Sequence, residues 1–131
     1  MNKSYFAKII AKDQQGLQMI SAYCSESNIK VNEIKYLKKN KIFLLSLQRF
    51  SKEFNNNNKI NSILKFEYIN SSRSKNINQN KEDLIIELLA IDLFKRDHNY
   101  EIRLLFSNNA IITLSAEIIE VTLEDQKKIN D

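Results

Sequence analysis

The chain contains a single glycine and no proline among its 131 residues. Phosphate-binding loops of the Walker and Rossmann types need several glycines at fixed spacing, because their backbone turns tightly and approaches the phosphates closely. Gly16 alone cannot supply such a loop. The sequence therefore excludes most nucleotide-dependent enzymes of familiar design, though not unfamiliar ones.

Cysteine and histidine are equally scarce, with Cys24 and His98 the only examples. A lone cysteine cannot form an internal disulfide, which suits a reducing compartment. Cys24 falls on the apolar stripe of a predicted helix and His98 in the polar turn "KRDHNY", so no nucleophile and base pair is predicted. Two such residues cannot complete a structural zinc site. We expect no metal, no cofactor and no enzyme; the alternative is an enzyme with an uncommon carboxylate or hydroxyl site.

Long apolar runs are also missing. No segment approaches the ~20 apolar residues that cross a bilayer, and the start "MNKSYFAKIIAKD" lacks the continuous apolar stretch of a secretory signal. The sequence predicts a cytoplasmic protein without a membrane span. Its length fits a single domain over residues 1–131.

What the chain does contain is a succession of strand patterns after one helix. Leu17, Ile20 and Cys24 recur at helical spacing, and Asp13 is a suitable N-cap. Strands are predicted at 5–11, 29–37, 41–50, 60–69, 84–94, 100–106 and 111–116, with a hairpin turn at 38–40 and loops at 51–61 and 70–83. Residues beyond 117 suit a strand extension or a short C-terminal helix. This order predicts an α+β fold: a mainly antiparallel twisted sheet or partly open roll, which a pleckstrin-homology-like arrangement would accommodate.

The stretch "LLFSNNAIITLS" (104–115) predicts a second hairpin. Pairing Phe106 with Ile112, and hence Leu104 with Leu114, unites the apolar faces and leaves a loop at 108–110. Asparagine tolerates the left-handed backbone of such turns. Asn108 and Asn109 are therefore interpreted as a corner of the fold; the alternative is a ligand-facing loop tip.

One acid interrupts an apolar face. Asp92 continues the alternation of Leu84, Ile86 and Leu88, so a regular strand would bury it. Burying an unpaired carboxylate is costly. We expect a strand end, a bulge or an ion pair to Lys or Arg at this position; the alternative is a functional acid.

Several stretches, in order, resemble the uncharacterised bacterial domain-of-unknown-function family 2948. They are "LQMISAYCSESNIKVNEIKYL" (17–37), "LQRF" (47–50), "LKFEYINSSRSKNI" (64–77), "LLAIDL" (88–93) and "LLFSNNAIITLSAEIIEVTLED" (104–125). The resemblance implies a compact single-domain cytoplasmic protein. Members of the family tend to carry glycine at the positions of 108–110, which agrees with a turn. The family supplies no activity and no catalytic residues.

Charge is divided along the chain. Residues 1–81 hold 15 Lys and Arg against 5 Asp and Glu (+10), whereas residues 82–131 hold 5 against 11 (−6). This division is compatible with a basic face that meets polyanions, with self-association, or with halves that neutralise each other. The candidate polyanion contacts are Lys38, Lys39, Lys41, Arg49, Arg73 and Lys75.

Two functional hypotheses follow from these patterns. The first is a non-enzymatic binding or adaptor domain that acts through protein contacts or self-association. The second is a weak nucleic-acid-binding domain that uses the basic hairpin, with Tyr36 and Tyr68 as stacking surfaces.

Overall fold

Ten antiparallel strands and one α-helix form the fold in the computed structural model, which describes residues 7–50, 59–78, 80, 81 and 83–126. The elements are β1 (Lys8–Ala11), α1 (Gln14–Cys24), β2 (Ser27–Lys30), β3 (Ile34–Leu37), β4 (Ile42–Phe50), β5 (Lys59–Phe66), β6 (Ile69–Lys75), β7 (Ile85–Lys95), β8 (Tyr100–Phe106), β9 (Ile111–Ala116) and β10 (Val121–Asp125). The strand order is β1-β10-β5-β4-β2-β7-β8-β9-β6, and β3 pairs with β4.

The sheet bends into a roll at one corner. Glu67 N donates to Glu120 O and Glu117 N donates to Tyr68 O, each at 3.0 Å. These bonds continue the β5–β10 pairing into the β6–β9 pairing. Tyr68 takes a left-handed φ of 61° at the bend. The α+β fold predicted from the sequence is confirmed.

A single apolar cluster fills the inside of the roll. It includes the predicted helical stripe of Leu17, Ile20 and Cys24, all of which are buried. The Asp13 carboxylate accepts from Gly16 N at 2.8 Å, so the predicted N-cap is confirmed. A Cβ atom on Gly16 would lie 3.0 Å from Ala11 Cα. Glycine at this position therefore allows the start of α1 to approach β1 closely.

Several predicted segments differ in part from the structure. The strand predicted at 29–37 is interrupted by a 3₁₀ turn, Val31–Glu33, which separates β2 from β3. The loop predicted at 70–83 was wrong over its first part, because β6 extends to Lys75. Its serine-rich sequence resembles a loop, but a strand at the sheet edge needs no apolar alternation when its backbone pairs with β9. Most of the other predicted loop, 51–58, lies outside the described residues, and 59–61 belong to β5.

The second hairpin has a different register from the predicted one. Leu104 pairs with Ile112 and Ile102 with Leu114, so the apolar faces do meet but are shifted by two residues. Phe106 N donates to Ala110 O at 2.9 Å, which closes a loop of Ser107–Asn109. Asn108 and Asn109 have φ values of 61° and 62°. These two left-handed residues close the turn one position earlier than predicted.

A bulge explains the acid on the apolar face of β7. The register with β8 shifts between Leu88 and Ala90, so that Ile91 points inward and Asp92 is exposed opposite Arg103. Ile91 N donates to Ser21 Oγ at 2.9 Å. Helix α1 thus satisfies a strand amide beyond the end of the β2–β7 pairing.

The core also contains an ion pair. Arg49 follows Phe43, Leu45 and Leu47 on the inner face of β4 and is 0% exposed. Its Nε and Nη2 donate to Asp125 Oδ1 and Oδ2 at 2.9 and 2.7 Å. The guanidinium also lies 5.4 Å from the centre of the Tyr23 ring.

Asp125 is fully hydrogen-bonded in its buried position. Besides the two bonds from Arg49, Oδ1 accepts from Ser62 Oγ at 2.6 Å and Oδ2 accepts from Ala7 N at 2.7 Å. Burial opposes ionisation, but the bonds from Arg49, Ser62 and Ala7 outweigh it and lower the pKa of Asp125. The carboxylate therefore ties β4, β5 and β10 to the residue that precedes β1.

Removing one partner of this pair should destabilise the protein strongly. We expect Arg49→Met or Asp125→Ala to cost about 3–5 kcal/mol, because either leaves a charge buried without its partner. The double variant should cost about 1–3 kcal/mol less than the sum of the singles. Urea denaturation of the wild type, the two single variants and the double variant measures this coupling.

The exposed pair Lys41 and Glu117 is the control, and a cycle of alanine variants at these two positions should show much weaker coupling. Additive effects at Arg49 and Asp125 would contradict the assignment.

The lowered pKa of Asp125 predicts a loss of stability in acid. The unfolded chain takes up this proton near the ordinary pKa of about 3.9, before the folded protein does. The stabilisation is therefore present above that pH and declines as the pH falls toward the folded pKa. Urea midpoints measured between about pH 6 and pH 2 test this expectation. An Arg49→Met/Asp125→Asn variant should lose less stability over this range, and an unchanged pH profile would contradict it.

Candidate ligand-binding surface

Three of the predicted cationic residues lie at the tip of the β3–β4 hairpin. Lys38, Lys39 and Lys41 are exposed, and Lys41 takes a left-handed φ of 56° that closes the turn. Lys41 Nζ lies 2.6 Å from Glu117 Oε1. Its hydrogen bond lowers the pKa of Glu117. Lys41 thus already forms an ion pair with an acid of the second half of the chain.

Two more of the predicted cationic residues, Arg73 and Lys75, lie on β6, which starts beside the hairpin tip. Ile69 N donates to Lys41 O at 2.8 Å. At about 3.3 Å per residue, Arg73 and Lys75 lie roughly 13 and 20 Å further along the strand. Both are exposed. The sheet edge therefore carries five of the six predicted cations.

The sixth, Arg49, is not on the surface. It is buried against Asp125 and cannot contact a polyanion. The two tyrosines proposed as stacking surfaces also differ in exposure. Tyr36 is half-buried and donates from its hydroxyl to Ile69 O at 3.0 Å, whereas Tyr68 is exposed.

A different set of charged side chains is brought together on the outer face of the roll. The pairing places Asp92, Arg103, Thr113 and Arg73 in one row across β7, β8, β9 and β6. Phe94 and Glu101 lie opposite each other in the next row. The cluster of Arg73, Phe94, Arg96, Glu101 and Arg103 is called the outer arginine surface below.

The geometry of this surface is set by Glu101. Its Oε2 accepts from Arg103 Nε at 2.7 Å and from Arg96 Nη2 at 3.2 Å. Both guanidiniums lie over Phe94, 4.5 Å (Arg103) and 5.7 Å (Arg96) from the ring centre. Phe94 is still 36% exposed. Partial burial opposes ionisation of Glu101, but the bonds from Arg103 and Arg96 outweigh it and lower its pKa.

A shallow depression of about 230 Å³ adjoins this cluster. Arg73 and Arg96 line it, together with the hydroxyls of Ser71, Thr113 and Ser115. No ion pair involves Arg73 among the residues that the structure describes. The depression thus combines guanidinium groups with neutral hydrogen-bond donors.

A larger groove of about 620 Å³ lies along β2, β4 and β5. Its charged residues are Lys30, Lys59 and Glu33, and amide and hydroxyl side chains make up much of the remaining lining. The formal charge of +1 in this groove is spread over a greater volume than that of the depression beside the outer arginine surface. The outer arginine surface is therefore the stronger candidate for a specific charged ligand.

Sequence reasoning missed most of the outer arginine surface. A signal for Glu101 and Arg103 was available, since both alternate with the buried Ile102 and Leu104 along β8. A signal for the burial of Arg49 was available as well, because it shares the phase of Leu45 and Leu47. The meeting of Arg73 with Arg96 had no local signal, because it depends on the pairing of β6 with β9.

The residues considered for catalysis do not converge. Cys24 is 0% exposed within the core, whereas His98 is exposed in the β7–β8 loop. Among the residues described, no group of three or more His, Cys, Asp or Glu side chains is placed to hold a metal ion. Within the same ranges, no helix has the length and apolar character needed to cross a membrane.

An antiparallel α+β roll with one helix and a charged outer face defines the structural class. The chain belongs to the family described as "Protein of unknown function (DUF2948)", whose model matches residues 7–130. The resemblance seen in the sequence is therefore confirmed. No curated protein matches the chain. The chain is similar to an uncharacterized protein from Neisseria gonorrhoeae of known crystal structure, with 17% identity, a TM-score of 0.48, and coverage of 90% of this chain and 97% of that one.

Proposed function

We propose that this protein is a non-enzymatic binding domain that contacts other protein chains through the outer arginine surface. The observation that carries the proposal is Phe94, an exposed aromatic ring in contact with two guanidiniums that share one carboxylate. Aromatic residues and arginine are enriched among the side chains that dominate protein interfaces. We propose the cytoplasm as its compartment, in keeping with the free thiol of Cys24.

The bonds within the cluster support this role energetically. A flexible arginine loses conformational freedom when a partner immobilises it, at about 0.5–1.5 kcal/mol per side chain. Glu101 and Phe94 already restrain Arg96 and Arg103 in the free protein. The surface is therefore partly preorganised for a partner.

A photoreactive residue at Phe94 should identify the contact. With p-benzoylphenylalanine in place of Phe94, irradiation of cells should give one discrete crosslinked protein, or a homodimer if the chain self-associates. Adding Arg103→Gln should reduce the yield by about tenfold or more at limiting partner, because truncating a central contact costs about 2 kcal/mol or more. Immunoblotting and mass spectrometry give the yield and the product.

The matched control carries the same photoreactive residue at Ile10, which is 55% exposed on β1. Thermal melts would verify that both proteins remain folded. Equal products at positions 10 and 94 would contradict the proposal. So would turnover of a small substrate by the purified protein with activity lost on replacing Asp92 or His98.

The second candidate function is contact with a nucleic acid along the edge of the sheet. The observation that favours it is the bond from Ile69 N to Lys41 O, which brings the hairpin tip to the start of β6. Lys38, Lys39 and Lys41 then lead toward Arg73 and Lys75 along one edge. A spacing of cations over about 20 Å suits the backbone of a single strand.

This second function predicts salt-dependent affinity for single strands. Fluorescence anisotropy with labelled single-stranded RNA, single-stranded DNA and duplex should show affinity that falls steeply with salt, because bound cations displace counterions. Reversal of Lys38, Lys39 and Lys41 to Glu should lower the affinity. It should also reduce the slope of log K against log salt by about 2, the value for three phosphate contacts on a single strand.

The control reverses Lys12, Lys30 and Lys59, which are exposed elsewhere. Each triple reversal removes six charge units and takes the net charge from +4 to −2. Equal losses in the two variants would indicate a general effect of net charge and contradict a contact at the hairpin. Binding that does not depend on salt would contradict it as well.

A further inference from the structure

We infer that the depression beside the outer arginine surface binds the dianion of a phosphate monoester. This inference rests on the proposed function, since it names the chemistry that the same surface recognises. Arg73 and Arg96 line the depression with Glu101, and Arg103 is bonded to Glu101 beside it. The charged lining residues, two guanidiniums and one carboxylate, give a formal charge of +1, and Arg103 lies opposite Asp92. This net positive charge favours a phosphate monoester, which carries about −1.5 to −2 at pH 7.

Two of the three guanidiniums are oriented before a ligand arrives. Arg96 and Arg103 are fixed by the Glu101 carboxylate and by the Phe94 ring. Arg73 has no carboxylate partner among the described residues. Guanidinium presents paired N–H groups that match phosphate oxygens, which makes arginine the preferred residue for planar recognition. Arg73 can therefore bind a phosphate without breaking an ion pair to a described residue.

Neutral donors surround these charges. Asn99 Nδ2 donates to Ser115 Oγ at 2.6 Å. Because this oxygen already accepts a bond, the Ser115 hydroxyl hydrogen is directed elsewhere. Ser71 and Thr113 add two more hydroxyls in the same depression. A phosphate group has several acceptor oxygens, and charged and neutral donors together can satisfy them.

Size and charge distribution favour an isolated phosphate group. The depression of about 230 Å³ is smaller than the ~300–1,000 Å³ of sites for whole organic ligands. The Glu101 carboxylate would repel a continuous polyanion that passed over it. Two guanidiniums lie over Phe94, 4.5 and 5.7 Å from the ring centre, which reduces the ring area available for stacking on bases. The site therefore fits a terminal phosphate, carried by a protein side chain or by a small molecule.

Nuclear magnetic resonance titration of the full chain tests the inference. The probes are inorganic phosphate, glycerol phosphate, a phosphoserine peptide and dimethyl phosphate, each at constant ionic strength. We expect the first three to shift the backbone amides near Ser71–Arg73, Asn99 and Thr113–Ser115. Dimethyl phosphate, a monoanion, should bind at least about tenfold more weakly than inorganic phosphate. A phosphopeptide that binds more tightly than glycerol phosphate indicates a protein source, and equal affinities indicate small phosphorylated molecules.

Variants at the sheet edge separate this site from general attraction. Arg73→Gln should weaken phosphate binding by about tenfold or more, because a charged hydrogen bond is lost. Arg73→Lys should retain part of the affinity, since it keeps the charge but loses the paired donors. Lys30→Gln, the same charge change on β2, should have little effect. Equal weakening by Arg73→Gln and Lys30→Gln, equal binding of dimethyl phosphate, or preference for an oligonucleotide without a terminal phosphate would overturn the inference.

The two proposals can fail independently. Crosslinks at position 94 that persist in Arg73→Gln, with no phosphate binding in the titration, would overturn the phosphate site and retain a protein-binding surface. Phosphate binding without crosslinks at position 94 would support the site and overturn the protein contact.

Discussion

The buried ion pair between Arg49 and Asp125 connects parts of the chain that are far apart in sequence. One carboxylate accepts from the side chains of β4 and β5 and from the amide that precedes β1. Since both charges are withdrawn from water, these bonds must all form together for the pair to be tolerated. Strands from the start, middle and end of the chain are thereby held in one register.

The division of charge along the sequence is partly resolved inside the fold. The pairs Arg49–Asp125 and Lys41–Glu117 each join a cation of the first half to an acid of the second. Glu101 does not join the two halves in this way, because it bonds to two arginines of its own half, Arg96 and Arg103. The folded protein therefore has neither a uniformly basic face nor a fully neutralised one. Its cations remain exposed at the hairpin tip, along β6 and on the outer arginine surface.

The outer arginine surface exists because strand pairing and a bulge act together. The bulge in β7 turns Asp92 and Phe94 outward, and pairing with β8 places Phe94 opposite Glu101. The corner of the roll returns the chain as β6, which adds Arg73 beyond β9. In a strand without the bulge, regular alternation would have placed both Asp92 and Phe94 on the inner face. The same irregularity leaves the Ile91 amide to be satisfied by Ser21 of α1.

The sequence by itself determined the elements whose signals are local. Helical spacing and an N-cap defined α1, and alternation defined most of the strands. Tertiary structure decided what depends on partners distant in sequence: the strand character of the serine-rich β6, the counterion of the buried Arg49 and the assembly of the outer arginine surface. The physical reason is that an edge strand is stabilised by backbone bonds to its neighbour, and a buried charge by its counterion. Neither partner can be identified from the residues next to it in the chain.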